Sequence, residues 1–148
     1  MRIDSNNLPI METFYSVQGE GFYSGKPAFF IRVGGCDVGC HWCDVKESWD
    51  HGDHEIISVD EIISNVIGTN LVIITGGEPL MWNMNILTKK LKQNNMKVHL
   101  ETSGAYKISG NWDWICLSPK KQKLPENEIY ELANELKIII HNKNDLKF

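Results

Sequence analysis

Hydrophobic and polar residues follow one another along this chain as expected for strands that alternate with helices. Residues 28–33 are rich in β-branched and aromatic residues, which favours a strand. Residues 71–75 form a continuous apolar run that ends at Gly76-Gly77, as is typical of a buried parallel strand. The predicted strands cover residues 11–15, 28–33, 71–75, 97–101, 112–118 and 135–140.

Three segments between these strands carry apolar residues at helical spacing. Residues 58–67 begin with Ser58 and Glu61 at the spacing of a capping box. The other predicted helices cover residues 83–94 and 125–134. The repeated strand–helix order predicts parallel strands with helical crossovers, and therefore an α/β fold.

Length and composition exclude several classes of protein. A chain of 148 residues fits one domain, residues 1–148. A net charge of −4 gives no broad basic surface, so direct nucleic-acid binding is not expected. No apolar run reaches the length of a membrane span, and the N-terminus does not resemble a signal peptide, so we expect a cytoplasmic protein without a membrane partner.

The chain has a cluster of three cysteines, Cys36, Cys40 and Cys43, directly after a predicted strand. Such crowding indicates a metal site in a reducing compartment, and three thiolates on a 4Fe-4S cluster leave one iron open for a ligand. A structural zinc site that includes His41 is an alternative, although His41 lies awkwardly inside the Cys40–Cys43 pair. A redox-active pair of cysteines would leave Cys36 unexplained. Cys116 is expected to be a small buried hydrophobic residue.

Polar or unusual residues follow four of the predicted strands. Because the carboxyl ends of parallel strands meet at one edge, we expect these residues to build one shared site. They are residues 35–36, 75–79, 101–103 and 118–120.

The CxxxCxxC spacing, with Trp42 before the last cysteine, resembles the signature of the radical S-adenosylmethionine superfamily. The resemblance implies that the methionine end of this cofactor binds the open iron and that an electron breaks a carbon–sulfur bond to give the 5′-deoxyadenosyl radical. The TGGEP sequence at residues 75–79 resembles the GGE motif of the same superfamily. The implied cofactor residues are Trp42, Cys43, Asp44, Gly76, Gly77, Glu78, Thr102, Ser103, Ser118, Pro119 and Lys120.

Residues 14–21 and 25–32, followed by the motifs GGC, CHWCD, TGGEPL, ETSG and SPK, resemble the 7-carboxy-7-deazaguanine synthase family over most of residues 11–140. The resemblance implies a lyase of queuosine biosynthesis, which converts 6-carboxy-5,6,7,8-tetrahydropterin to 7-carboxy-7-deazaguanine with loss of ammonia. It implies no catalytic protein side chain, because the cofactor radical does the chemistry. The implied substrate residues are Val17, Gln18, Gly19, Arg32 and Thr75, with Glu20 a candidate by proximity.

The resemblance also implies an architecture and partners. The expected fold is an incomplete, open parallel β/α barrel of about six strands with a short C-terminus, since family members usually continue past the last predicted strand. A homodimer and a flavodoxin or ferredoxin electron donor are implied. Magnesium is implied too, but Val45 replaces the usual hydroxyl residue and offers no oxygen ligand, so Asp44, substrate and water would have to hold the ion.

Two other functions stay open at this point. An activating enzyme for a glycyl radical, of the anaerobic ribonucleotide reductase type, would be similarly short but would not explain the VQGEG sequence at residues 17–21 or Arg32. A non-enzymatic iron–sulfur protein that binds another protein would not need the TGGEP, ETSG and SPK motifs.

Overall fold

The computed structural model describes residues 3–147, which form one mixed sheet with helices packed against it. The strands are β1 (Asn7–Val17), β2 (Pro27–Val33), β3 (Glu55–Ser58), β4 (Leu71–Gly76), β5 (Lys97–Thr102), β6 (Trp114–Leu117) and β7 (Glu135–Leu136). The α-helices are α1 (Val59–Ser64), α2 (Asn85–Gln93) and α3 (Ile129–Leu132). Short 3₁₀ helices cover Lys46–Ser48, His51–Asp53, Pro79–Met81 and Lys143–Lys147.

The seven strands lie in the order β3-β1-β2-β4-β5-β6-β7, and the sheet does not close on itself. From β2 to β7 all neighbouring strands are parallel, which confirms the expected open α/β architecture. β1 differs, because it is antiparallel to both β2 and β3. Residues 18–26 join β1 to β2, and this connection is shorter than the dozen or so residues that a parallel crossover requires.

The structure corrects three details of the sequence prediction. β3 was not predicted, and it brings the sheet to seven strands rather than about six; its residues pair with Asn7–Ile10 at the sheet edge. The helix expected at residues 125–134 is only Ile129–Leu132; it stops there because Ala133 is extended, with ψ of 135°, and the Asn134 N–H donates to the Ile115 carbonyl instead of continuing the helix. The last strand ends at Leu136 rather than at residue 140.

The helices cover one face of the sheet. Ser58 caps α1, since its hydroxyl accepts a hydrogen bond from the Glu61 N–H at 3.2 Å, as the capping-box spacing predicts. Ile62 from α1 and Leu87 and Leu91 from α2 are fully buried against Val72 and Ile74 of β4. This core fixes the strands while leaving the opposite face of the sheet uncovered by helices.

The inner face is the face of the sheet opposite the helices. It is apolar near the amino ends of the parallel strands and polar towards their carboxyl ends. Phe14 stacks on Phe30 with ring centroids 5.0 Å apart, and both pack with Leu71 and Ile73. One side-chain layer closer to the carboxyl ends, Arg32 and Thr75 are register partners on β2 and β4. Because side chains alternate along a strand, this register places polar groups together at one edge. Within residues 3–147, no helix has both the length and the apolar character to cross a membrane.

Candidate active site

The carboxyl ends of the parallel strands enclose a cavity of about 480 Å³. Residues from every loop at this edge contribute to its wall, as the shared-site prediction requires. The predicted site residues that line it are Gln18, Gly19, Arg32, Cys36, Cys40, Trp42, Cys43, Asp44, Thr75, Gly76, Gly77, Glu78, Thr102, Ser103, Ser118 and Lys120.

Two predicted residues do not line this cavity. Val17 is the last residue of β1 and is exposed. Pro119 lines a neighbouring cavity of about 90 Å³ together with Trp42 and Lys120. Trp42 and Lys120 therefore form part of the wall between the two cavities.

The three clustered cysteines all line the main cavity as free thiols. Burial raises the pKa of the Cys36 and Cys40 thiols, and the Val45 N–H donates to the Cys43 sulfur at 3.4 Å. His41 lines only the smaller cavity, which separates it from the cysteines and disfavours the Cys3His zinc site. Within residues 3–147, no three His, Cys, Asp or Glu side chains lie close enough together to hold a single metal ion. Three thiols spread along the wall of one cavity instead fit a larger 4Fe-4S cluster, which would keep one iron open.

The glycine turn after β4 lies directly against the cysteine loop. A Cβ atom at Gly77 would lie 2.2 Å from the Gly35 carbonyl oxygen and 3.0 Å from the Cys36 Cβ. In addition, the Gly77 N–H donates to the Val33 carbonyl at 3.0 Å, and the Glu78 N–H donates to the Gly35 carbonyl at 2.8 Å. Only glycine allows this approach of two backbones, which places the turn beside the thiols.

Glu78 connects the turn after β4 with the turn after β5. Its carboxylate is 1% exposed and accepts hydrogen bonds from the Leu80 N–H at 3.0 Å and the Ser103 N–H at 2.8 Å. The hydroxyls of Thr102 and Ser103 donate to the same carboxylate. Four donors thus stabilise a buried negative charge and hold two walls of the cavity together.

Glu101 belongs to residues 101–103, which are expected at the shared site, but the sequence alone indicates no role for this carboxylate. One of its oxygens accepts a hydrogen bond from Gln18 Nε2 at 3.0 Å, and the other accepts from Thr75 Oγ1 at 3.1 Å. Because Glu101 accepts from both side chains, it fixes the orientation of Gln18 and Thr75, which are both predicted substrate residues. The alternation of β5 was the available signal, because it places Glu101 on the inner face.

Arg32 and Lys137 line the same cavity, and each is paired with a carboxylate. Arg32 Nε donates to Glu12 at 2.7 Å, and Lys137 Nζ donates to Glu20 at 2.7 Å. Lys137 directly follows β7 and was not among the predicted site residues, since nothing local in the sequence marks it. The Lys137–Glu20 pair connects the loop at residues 18–26 with the last strand.

The SPK segment after β6 forms a small polar group beside Trp42. Lys120 Nζ donates to the Ser118 carbonyl at 2.7 Å and to the Ser118 hydroxyl, and it lies 5.6 Å from the centroid of the Trp42 ring. Burial lowers the pKa of Lys120. A half-buried ammonium next to an aromatic ring is suited to a carboxylate ligand.

Cys116 lines the cavity, but its environment differs from that of the other three cysteines. Burial, with the nearby charges of Glu135 and Glu101, raises the pKa of this thiol to about 12. It is buried, as the sequence predicts. A thiol that stays protonated in this environment is a poor metal ligand.

Comparisons with known proteins agree with this geometry. Residues 30–109 match the model of the radical SAM superfamily. The chain is 58% identical to 7-carboxy-7-deazaguanine synthase of Flavobacterium psychrophilum, over 95% of this chain and 68% of that protein. It is 53% identical to the synthase of Synechocystis, over 94% of this chain and 68% of that protein.

A solved structure gives the same result for the fold. The crystal structure of QueE from Escherichia coli superposes with a TM-score of 0.85 at 30% identity, over 95% of this chain and 74% of that chain. The similarity therefore covers nearly all of the present chain.

Proposed function

The chain belongs to the radical S-adenosylmethionine superfamily and, within it, to the 7-carboxy-7-deazaguanine synthase family, and on that premise we propose that it converts 6-carboxy-5,6,7,8-tetrahydropterin to 7-carboxy-7-deazaguanine with loss of ammonia. One observation supports the proposal most strongly. The three cysteines share a single cavity with the Gln18–Glu101–Thr75 group and with Arg32. A mere cluster-holding protein has no use for such a polar wall.

The family implies a 4Fe-4S cluster and S-adenosylmethionine, and the cavity has suitable residues for both. Cys36, Cys40 and Cys43 would hold the cluster. When bound, the cluster supplies the electron that cleaves S-adenosylmethionine. Trp42 and the backbone of Gly76 and Gly77 would contact the cofactor, with the other predicted cofactor residues Asp44, Glu78, Thr102, Ser103, Ser118, Pro119 and Lys120 around them.

The polar wall matches the two ends of a carboxypterin. Its aminopyrimidinone edge presents an amino group and a ring N–H as donors, and the Glu101 carboxylate accepts two such hydrogen bonds. Gln18 and Thr75, which Glu101 orients, would read the neighbouring ring atoms, while Val17 and Gly19 would contribute backbone groups. Arg32 would pair with the substrate carboxylate, since Glu12 engages only one of its five N–H donors.

Magnesium, electron donor and assembly belong to the same proposal. Asp44 lines the cavity and would be a magnesium ligand together with substrate and water, because Val45 offers no side-chain oxygen. The family requires a reductant, for which we propose a flavodoxin or ferredoxin. We also propose a homodimer and a cytoplasmic location, where thiols stay reduced.

Anaerobic reconstitution tests the proposal. The loaded chain, with dithionite, S-adenosylmethionine and 6-carboxy-5,6,7,8-tetrahydropterin, should yield 7-carboxy-7-deazaguanine by mass, and Cys40→Ala should yield none. Omission of magnesium should lower the rate without abolishing it. Formation of 5′-deoxyadenosine without the deazaguanine product would overturn the substrate assignment and favour a glycyl-radical activating enzyme. An intact cluster without either product would favour a non-enzymatic role.

A further inference from the structure

Three side chains from different loops meet beside the cysteine loop and outside the main cavity. Asp37 lies between Cys36 and Cys40, and Lys123 Nζ donates to both of its carboxylate oxygens, at 2.9 and 3.1 Å. The same ammonium lies 3.8 Å from the centroid of the Tyr106 ring. We call Asp37, Tyr106 and Lys123 the loop clamp.

Tyr106 ties the loop clamp to the protein core. Its ring packs against the cluster formed by Val38, Cys40 and Ala105, and also against a second cluster that includes Leu80, Leu100 of β5 and Leu117 of β6. A cation over the face of a tyrosine is held by the electrostatic field of the ring. The three loops that follow β2, β5 and β6 are therefore joined at one point.

The part of the loop that the clamp contacts needs such support. At its start, the Cys36 N–H donates to the Trp49 carbonyl at 3.1 Å, and further along the Cys43 N–H donates to the Cys40 carbonyl at 3.0 Å. Between them, Gly39 adopts a left-handed conformation with φ of +74°, and a Cβ at this position would meet no atom within 4 Å. Asp37 is the residue of this stretch with an ion pair to a distant loop.

We propose that the loop clamp positions Cys36 and Cys40 for the cluster and that the Asp37–Lys123 pair adjusts the reduction potential of the bound cluster. The proposal rests on the cluster-binding part of the proposed function and does not depend on the substrate. A cation near a cluster favours its reduced, more negative state, and an anion disfavours it. Both side chains are partly exposed, at 51% for Asp37 and 34% for Lys123, so water screens the effect.

Iron retention tests the positioning role. In reconstituted protein, Lys123→Gln and Asp37→Asn should each release iron to a chelator about two- to fivefold faster, as expected for loss of an exposed ion pair with a cation–π contact. Tyr106→Leu should do the same, and Tyr106→Phe, which keeps the ring, should release iron more slowly than Tyr106→Leu. Lys90→Gln, which removes the exposed Lys90–Asp60 pair on the helical face, is the matched control.

The potential distinguishes the clamp from general loosening of the fold. Asp37→Asn should make the midpoint potential of the cluster less negative, and Lys123→Gln should make it more negative. The reversed pair Asp37→Lys with Lys123→Asp should restore iron retention. Equal iron release in all variants, or potentials that shift in the same direction, would overturn the proposal. A pterin assay without product leaves these readouts intact, whereas a parent chain that binds no iron would overturn both proposals.

Discussion

At the scale of single residues, Glu101 shows how one carboxylate organises a wall of the site. It accepts hydrogen bonds from Gln18 and Thr75, which come from different parts of the chain. Glu101→Gln keeps the shape but removes the charge that should pair with the donor edge of the pterin. Because hydrogen bonds to charged groups contribute about 1.5–3 kcal/mol, kcat/KM should fall about 10- to 100-fold.

The measurement for Glu101→Gln is steady-state product formation in protein with the same iron content as the parent. Glu131→Gln on the exposed side of α3 serves as the control. A kcat/KM equal to that of the parent would place the pterin edge elsewhere in the cavity.

Glu78 illustrates a different kind of site residue. Since four donors point at its buried carboxylate, Glu78→Gln would set an amide donor against N–H and hydroxyl donors. Unpaired buried polar groups cost about 1–3 kcal/mol, so the free energy of unfolding should fall by that amount even without cluster or cofactor. Denaturant unfolding of the iron-free protein measures it. If stability stayed constant while S-adenosylmethionine binding was lost, Glu78 would act as a ligand rather than as a connection between turns.

The residues found from sequence and those missed differ in one physical respect. The cysteines and the TGGEP turn are local motifs, and their chemistry can be read from consecutive residues. Glu101 and Lys137 face the cavity only because strands alternate and β5 to β7 pair in a particular register. Register is set by tertiary packing, which a single sequence does not display.

At the scale of elements, the turn after β4 is limited by backbone contact. Gly77→Ala would bring a Cβ within 2.2 Å of the Gly35 carbonyl, and a backbone atom cannot move aside as a side-chain end can. The cysteine loop should shift, and iron bound per chain after reconstitution should fall at least twofold, about the effect of 0.5 kcal/mol.

Gly19→Ala is the control for iron content, because a Cβ at Gly19 meets no atom within 4 Å. Full iron loading in Gly77→Ala would show that the two backbones can separate without disturbing the thiols.

The loop at residues 18–26 is held across the sheet by Glu135. That carboxylate accepts hydrogen bonds from the Phe22 N–H at 3.1 Å and Trp114 Nε1 at 3.2 Å, and a Cβ at Gly21 would overlap it at 1.8 Å. Gly21 also has a left-handed φ of +69°. Gly21→Ala should push the Glu135 carboxylate out of these two hydrogen bonds, which weakens the attachment of the loop and should raise KM for the pterin, with faster proteolysis of the loop. Gly25→Ala is the control, because Gly25 also has a left-handed φ, +87°, but a Cβ there meets no atom within 4 Å. It therefore shows the effect of backbone strain without the overlap.

Element order was largely predictable, and pairing was not. The apolar run of β4 and the β-branched residues of β2 mark strands regardless of their neighbours. β3 has no comparable signal, since Glu55–Ser58 is short and its pairing with Asn7–Ile10 depends on a distant segment. The direction of β1 follows from the length of residues 18–26 rather than from the residues of the strand itself.

At the scale of the whole molecule, the cavity joins loops from all along the chain, so ligands should stabilise the complete fold. S-adenosylmethionine at 100 times its Kd should add about 2.7 kcal/mol to the reconstituted protein. For a domain of this size that corresponds to a rise in Tm of about 5–10 °C. The Cys40→Ala variant, which lacks a complete cluster, should show no such rise in the same thermal scan. A similar rise in that variant would show that the cofactor binds without the iron.

The contact of Gly77 with Gly35 also bears on how the protein matures. The cysteines occupy residues 36–43, but the walls around them come from the turns after β4, β5 and β6. When only the part of the nascent chain up to the cysteines has left the ribosome, the three thiols therefore lack the turns that surround them in the folded protein. Iron delivery should follow synthesis of the last parallel strands, and an assembly factor would have to recognise the folded protein rather than the emerging peptide.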